Sequence, residues 1–294
     1  MKHLISIILL ALSLTACIST MPYHISSHSS DHSVTTLIQD CADTKLYQNP
    51  VTLSKQQGLD PNKISLLNWN VHKGSDDNWQ QDFQQLSQDK DIITLQEARL
   101  DDALHTVLDN HNLHWDLTSA FLYDDVEVGV LTASKITAIT QCSAHIKEPF
   151  IRLPKTLLVS IYPLLNHDQH LLVANIHSIN FSTGTKEYTE QIKRLQTVLE
   201  GYKGPMIIAG DFNSWSQGRI HIIEAFRQDL SLQALPYQNH QRTRVFGNAI
   251  DHIFYRGLTP TDLTTPEVTS SDHNPIIVNF SMPPISNKVL SNND

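Results

Sequence analysis

The chain has few thiols, few cations and no apolar run long enough to cross a bilayer, and each shortage removes a class of protein. Only three cysteines occur in 294 residues, at positions 17, 41 and 142. No Cys or His cluster stands at zinc-ligand spacing, so a zinc-held scaffold is not supported. Lys and Arg total 21 against 30 Asp and Glu. Nonspecific nucleic-acid binding is largely phosphate neutralisation by cations, so this balance argues against a tight polyanion binder and leaves room for a small substrate or a local basic strip. The apolar stretch from Leu4 to Leu14 is too short to span a bilayer. No internal repeat is visible.

What is present begins with that stretch. Lys2 precedes it and Leu14-Thr15-Ala16-Cys17 closes it, the layout of a signal peptide. Leu-Thr-Ala-Cys resembles a bacterial lipobox, in which Cys17 becomes the lipidated first residue of the mature chain. An ordinary signal peptide with an incidental Cys is the alternative. Ile18 stands where an Asp often retains such proteins at the inner membrane, so the resemblance favours the outer membrane. Removing residues 1–16 leaves 20 basic against 30 acidic residues. Cys41 and Cys142 then remain in an oxidising compartment as a candidate disulfide, although two unpaired thiols fit the spacing as well.

Beyond the leader, the expected organisation is a tether and N-terminal arm over 17–59, one domain over 60–281 and a loose tail over 282–294. Nearly continuous apolar runs predict strands at 64–71, 92–96, 127–132, 137–142, 156–162, 170–176, 206–209, 252–255 and 276–280, and such runs suit strands covered on both faces. The helical period predicts helices through Trp79, Phe83 and Leu86 behind Asp76 or Asp77, and through Leu104, Val107 and Leu108 behind Asp101. Two more are predicted over 185–200, with Gly201 as a left-handed cap, and over 217–228. The long strand-only stretch 115–176 fits hairpins better than a doubly wound parallel sheet. The fold class expected is α/β (α+β), with two packed, mostly antiparallel β-sheets flanked by helices.

The polar residues stand where these strands leave the core. The sequence reads Asn68-Trp69-Asn70, Gln96-Glu97, Asn175-Ile176-His177, Gly210-Asp211-Phe212-Asn213, Ile250-Asp251-His252 and Ser271-Asp272-His273-Asn274-Pro275. Several such ends at one sheet edge make a site. Asn70 and Glu97 are oxygen donors of the kind a hard cation such as Mg²⁺ takes. Asp211 and Asn213, two apart, point to one side of an extended chain and offer a carboxylate for a water and an amide for an oxyanion. An Asx turn is the bland alternative. Asp251 is the expected partner that orients His273 and raises its pKa, so that His273 can meet a phosphoryl oxygen or protonate a leaving group. His177 supplies a second imidazole.

In this order the motifs resemble the endonuclease/exonuclease/phosphatase superfamily, the DNase I-like fold, over about residues 60–281. The resemblance implies a four-layer α/β sandwich. It places Asn70, Glu97 and Asp272 around Mg²⁺, with Mn²⁺ as a substitute, gives Asp211 and Asn213 the attacking water, and sets His177 and His273 against the phosphate with Asp251 behind His273. Arg152-Leu153-Pro154-Lys155, the segment from His177 to Phe181, and Phe254-Tyr255-Arg256-Gly257-Leu258 look like an uncharacterised bacterial subgroup. Arg99 resembles a DNA-contacting Arg of secreted nucleases, and Arg152 could face a phosphate, each weighed against a surface Arg paired with an acid.

The resulting expectation is a monomeric, Mg²⁺-dependent phosphodiester hydrolase held to the bacterial envelope by an N-terminal lipid. Endonuclease-like action on nucleic acid comes first. A sphingomyelinase or phospholipase C-like action on phospholipid is the alternative, with Phe121-Leu122-Tyr123 the nearest thing to an apolar hairpin for it. A non-catalytic envelope lipoprotein is the remote third.

Overall fold

The computed structural model describes residues 18–19, 24–28, 36–41 and 57–283. The leader, Cys17 and most of the tail lie outside the described residues. The strands are β1 (Ile18–Ser19), β2 (Ile25–His28), β3 (Thr36–Asp40), β4 (Ile64–Asn70), β5 (Ile92–Arg99), β6 (His114–Tyr123), β7 (Val126–Ser134), β8 (Thr140–Lys147), β9 (Pro154–Pro163), β10 (His170–His177), β11 (Met206–Asp211), β12 (Gln233–Ala234), β13 (Arg244–Val245), β14 (Asn248–Ala249), β15 (Asp251–Arg256), β16 (Thr259–Thr264) and β17 (Ile276–Ser281). Helices α1 (Trp79–Leu86), α2 (Asp102–Asn110), α3 (Lys186–Leu199) and α4 (Gln217–Asp229) interrupt them.

One sheet runs β1-β6-β7-β5-β4-β17-β16, with β2 also on β6, and the other runs β12-β15-β11-β10-β9-β8-β3. Pairing is mostly antiparallel, with β4–β5, β10–β11 and β3–β8 parallel. The two-residue period explains why these runs are apolar throughout. In β4, Ile64 and Leu66 join the cluster between the sheets with Ile207, Ile253 and Val278, while Leu67 and Trp69 face outward. The outer face of the first sheet is covered by Phe83 of α1 and Leu104, Val107 and Leu108 of α2. Tyr188, Ile192, Leu195 and Leu199 of α3, with Ile223 and Phe226 of α4, cover the second. The result is the expected α/β sandwich of four layers, helices outside two sheets.

Several local expectations change. Asp101 caps α2 by accepting the Leu104 N–H at 3.1 Å, but the cap of α1 is Asn78 in a left-handed conformation. Asp76 instead binds the His72 ring at 2.7 Å. Gly201 is not the left-handed cap of α3, because Glu200 ends the helix in right-handed geometry and donates to Gln196. The stretch expected as a tether supplies β1 and β2, which pair with β6. Edge pairing uses backbone groups alone and needs no apolar pattern to announce it. Cys41, following β3, and Cys142 of β8 form a disulfide.

Candidate active site

The parallel pairs β4–β5 and β10–β11 deliver their C-terminal ends to one edge of the sandwich. Asn70 ends β4, His177 ends β10 and Asp211 ends β11, where it pairs with Asp251 at the start of β15. The approach of β10 to β11 is close enough that a Cβ on Gly210 would lie 2.0 Å from the Ile176 carbonyl oxygen, so only glycine fits just before Asp211. Glu97 sits in a register shift between β5 and β7 with φ 51°. A bulge of this kind re-aims a side chain, and the strained backbone is held only because its surroundings fix it.

Beneath the site, buried amides tie the sheets together. Gln96 Nε2 donates to Asn68 Oδ1 at 3.0 Å and to Asn175 Oδ1 at 2.7 Å, and Asn175 Nδ2 donates to the Leu131 carbonyl at 2.8 Å. The loop before β17 is fixed to β4 by Ser271, whose hydroxyl donates to Asn70 O at 2.7 Å, and by Trp69, whose Nε1 donates to His273 O at 2.8 Å.

The eight groups predicted to converge do so. Asp211 is the hub. Its Oδ1 accepts the Asn213 N–H at 2.8 Å, and its Oδ2 accepts from Asn70 Nδ2 at 3.2 Å and Asn213 Nδ2 at 3.3 Å. His177 Nε2 lies 3.5 Å and His273 Nε2 3.9 Å from that same oxygen. Asn213 reaches Asp211 through a left-handed turn, φ 46°, rather than along extended chain. Asp251 brackets His273 Nδ1 with its oxygens at 2.9 and 3.0 Å. Glu97 Oε1 is 3.8 Å from His177, and Asp272, with its side chain exposed, is 3.9 Å from His273.

Two cations given no site role from the sequence, one of them within the Arg152-Leu153-Pro154-Lys155 motif, complete the cluster. Lys155 Nζ donates to His177 Nε2 at 2.7 Å, and Lys73 pairs with Glu97. Lys73 sits in a one-turn 3₁₀ segment at positive φ, and Lys155 arrives through the β8–β9 hairpin, so neither follows a periodic signal. Arg219 of α4 is a third omission. Fully buried between the Tyr188 and Trp215 rings, it donates to the carbonyls of Ile179, Asn213 and Asn180 at 2.7–2.9 Å and so clamps the loops after His177 and Asp211.

Electrostatics give these groups different protonation. Burial pushes the Asp211 carboxyl up to about 6, with Asp251 adding to the rise and His273 opposing it. Burial and the Lys155 ammonium keep the His177 imidazole well below its ordinary value, hence neutral. Burial would lower His273 too, but Asp251 outweighs it and raises the imidazole to about 10. Burial resists the Glu97 charge, yet the ammonium groups of Lys73 and Lys155 hold its carboxyl well below the usual carboxylate range.

The two predicted arginines lie apart from this cluster. Arg99 is 3.9 Å from Asp101 and stacks over Tyr123. Arg152 occupies the exposed tip of the β8–β9 hairpin at φ 58°. Asp211, Asp251 and His273 have donor atoms within 4.8 Å of one another and could hold a metal ion.

A sandwich with this edge is built as a phosphoester hydrolase. Residues 67–273 match the Endonuclease/Exonuclease/phosphatase family, and the chain belongs to it. It is 39% identical over 239 residues to a UPF0294 protein of Vibrio campbellii, covering 80% of this chain and 82% of that one. The structure of an endonuclease/exonuclease/phosphatase family protein from Bacteroides thetaiotaomicron superposes with a TM-score of 0.59 at 17% identity, over 76% of this chain and 99% of that one. The human Nocturnin catalytic domain, solved with a bound sulfate anion, gives 0.57 at 15%, over 77% and 97%. At these identities the structural likeness is one of fold.

Proposed function

We propose that the chain is a divalent-cation-assisted phosphodiesterase that attacks phosphorus with water in line with the leaving oxygen. The observation carrying this reading is one buried carboxylate, Asp211, with the ring nitrogens of His177 and His273 at 3.5 and 3.9 Å, the first imidazole held by Lys155 and the second by Asp251. Above about pH 6 Asp211 is ionised and takes a proton from the water it orients with Asn213. The water oxygen bonds to phosphorus as the bond from phosphorus to the leaving oxygen breaks, inverting the phosphorus. His273 is protonated at neutral pH and gives its proton to the leaving oxygen, while Asp251 stabilises the imidazolium. His177, neutral and bound by Lys155, is suited to orientation and contact with phosphate rather than to acid catalysis.

The donor set suits a hard cation. Asn70 offers an amide oxygen, Glu97 and Asp272 offer carboxylates, and none is a thiol. These three would hold Mg²⁺ or Mn²⁺, with Lys73 giving up Glu97. When bound, the cation would stabilise charge developing on the phosphoryl oxygens. We further propose that the chain is exported, lipidated at Cys17 and anchored as a monomer in the outer membrane.

On substrate, the Arg99 that favoured nucleic acid spends its contacts on Asp101 and Tyr123. Exposed apolar residues beside the cleft favour a phospholipid. Incubating the lipidated full chain with DNA, RNA, sphingomyelin, phosphatidylcholine and inositol phosphates, with and without chelator, tests the reading. Chelator-sensitive hydrolysis of one of the four diesters is expected, and no turnover of any diester would refute the proposal.

A further inference from the structure

Among the described residues, the exposed large hydrophobic side chains are Phe150 (61%), Ile151 (48%), Phe181 (54%) and Phe246 (83%). Apolar residues scattered singly over a surface need no explanation, but a grouped set does. These are grouped. Phe150, Phe181 and Phe246 line one cavity of about 470 Å³ with Trp215 and Val245. They come from four loops around the site. Phe181 follows His177 by four residues, Trp215 follows Asn213 by two, and Phe246 tips the β13–β14 hairpin just before Asp251. Glu148, at the base of the hairpin bearing Phe150 and Ile151, accepts the N–H groups of Asn180 and Phe181 and locks two of the loops together. On a chain of net charge −9, exposed Lys147, Arg152 and Arg244 flank these tips.

Strand register says which way the rim faces. β1 pairs Ile18 with Tyr123 at the tip of the β6–β7 hairpin, and Val128 of β7 lies opposite Arg99, so this tip is at the Glu97 end of its sheet. In the other sheet Leu157 pairs with Ile176, which puts the β8–β9 tip at the His177 end. Glu97 and His177 are 3.8 Å apart. Residue 18, one bond from the candidate lipidated Cys17, therefore enters the domain at the same edge as the cleft and the exposed rings.

We propose that this rim seats the cleft on the surface of the bilayer that holds the chain, with Phe150, Ile151, Phe181 and Phe246 in the interfacial layer and Lys147, Arg152 and Arg244 among the phosphates. The proposal rests on the phosphodiesterase reading of the site and makes its substrate the head group of a phospholipid. Rings and an aliphatic side chain enter the boundary between head groups and acyl chains, and Lys and Arg keep their charges at head-group depth. Ile151 has no ring face on which a nucleobase could stack, and the acidic chain would repel a polyanion.

The test is bromolipid quenching of tryptophan emission in the lipidated full chain on phosphatidylcholine vesicles carrying dibrominated acyl chains. Phe150→Trp and Phe246→Trp report the rim, and Gln169→Trp reports the β9–β10 turn at the opposite edge. The emission added by the first two should fall roughly twofold or more, and that added by the third should not change. Equal quenching at all three positions, or none at the rim, overturns the proposal. So does a response of the rim indoles to a DNA oligonucleotide without one to brominated vesicles. Turnover of bis(4-nitrophenyl) phosphate with Mg²⁺ by the same preparation judges the phosphodiesterase reading separately. Its failure beside positive quenching would refute the chemistry and leave the orientation standing.

Discussion

Replacing Asp211 with Asn should slow turnover by orders of magnitude and, in the metal-free chain, improve stability at alkaline pH. The Asp211 carboxyl is buried and raised from 3.8 to about 6. With each tenfold change in proton affinity worth roughly 1.4 kcal/mol, holding the ionised group in the fold costs about 3 kcal/mol. Between pH 3.8 and 6 the folded chain keeps a proton that the unfolded chain has released, so the contribution of Asp211 to stability falls as pH rises through that window. Asn carries no such dependence. His273, raised to about 10 with Asp251 the chief charge raising it, stays protonated in the folded chain across this window. Urea unfolding of wild type and Asp211→Asn in EDTA should therefore show a difference that moves by about 2–3 kcal/mol in favour of the variant between pH 4 and pH 8. Hydrogen bonds lost or gained by the amide enter at both pH values and cancel. Turnover should fall by roughly 10²–10⁴-fold, the worth of a positioned base. A pH-independent difference, or a variant that keeps its rate, would refute the assignment of Asp211 as a desolvated base.

Glu97→Gln keeps the shape of the side chain but removes the charge that Lys73 neutralises. It should raise the Mg²⁺ concentration for half-maximal rate at least the roughly tenfold that losing even an outer partner of a metal ligand costs, and an unchanged Mg²⁺ titration would remove Glu97 from the cation site. Arg219→Met leaves the carbonyls of Ile179, Asn180 and Asn213 without a donor. A loss of about 3–5 kcal/mol in urea unfolding is expected, and a loss under about 1 kcal/mol would mean that the guanidinium is not a clamp. Cys142→Ser opens a bridge between positions 101 residues apart. It should cost about 2–4 kcal/mol by thermal unfolding, with reductant giving the same result on wild type, and insensitivity to both would contradict a structural role.

Local sequence pattern succeeds where it maps directly onto a contact. The period of 3.6 found Tyr188, Ile192, Leu195 and Leu199 on α3, which all pack on the second sheet. Doubly apolar runs found strands covered on both faces, and their polar ends found Asn70, His177 and Asp211. It fails where position depends on partners far away in the chain. Lys155 meets His177 only because β9 pairs with β10, and Arg219 on α4 is buried because two loops present carbonyls to it. β6 does not read as a strand of its own because His114, Asp116, Thr118 and Ser119 interrupt its apolar run. The exposed rings of Phe150, Phe181 and Phe246 lie in three separate loops, so no stretch of sequence signals the patch that they form. Phe121-Leu122-Tyr123, which does read as an apolar tip, is instead half-buried in a hairpin paired with β1.

We propose that His273, protonated by virtue of Asp251, assists departure of the leaving oxygen at the Asp211 edge. The direct measurement is the Mg²⁺-dependent rate of wild type and His273→Ala on a phosphodiester with an alkyl leaving group and on one with a 4-nitrophenyl leaving group, with circular dichroism to check the fold. The account predicts a loss of roughly 10²–10⁴-fold on the alkyl ester and a smaller loss on the nitrophenyl ester, whose leaving group departs without a proton. A folded His273→Ala chain that cleaves both esters at the wild-type rate would contradict it.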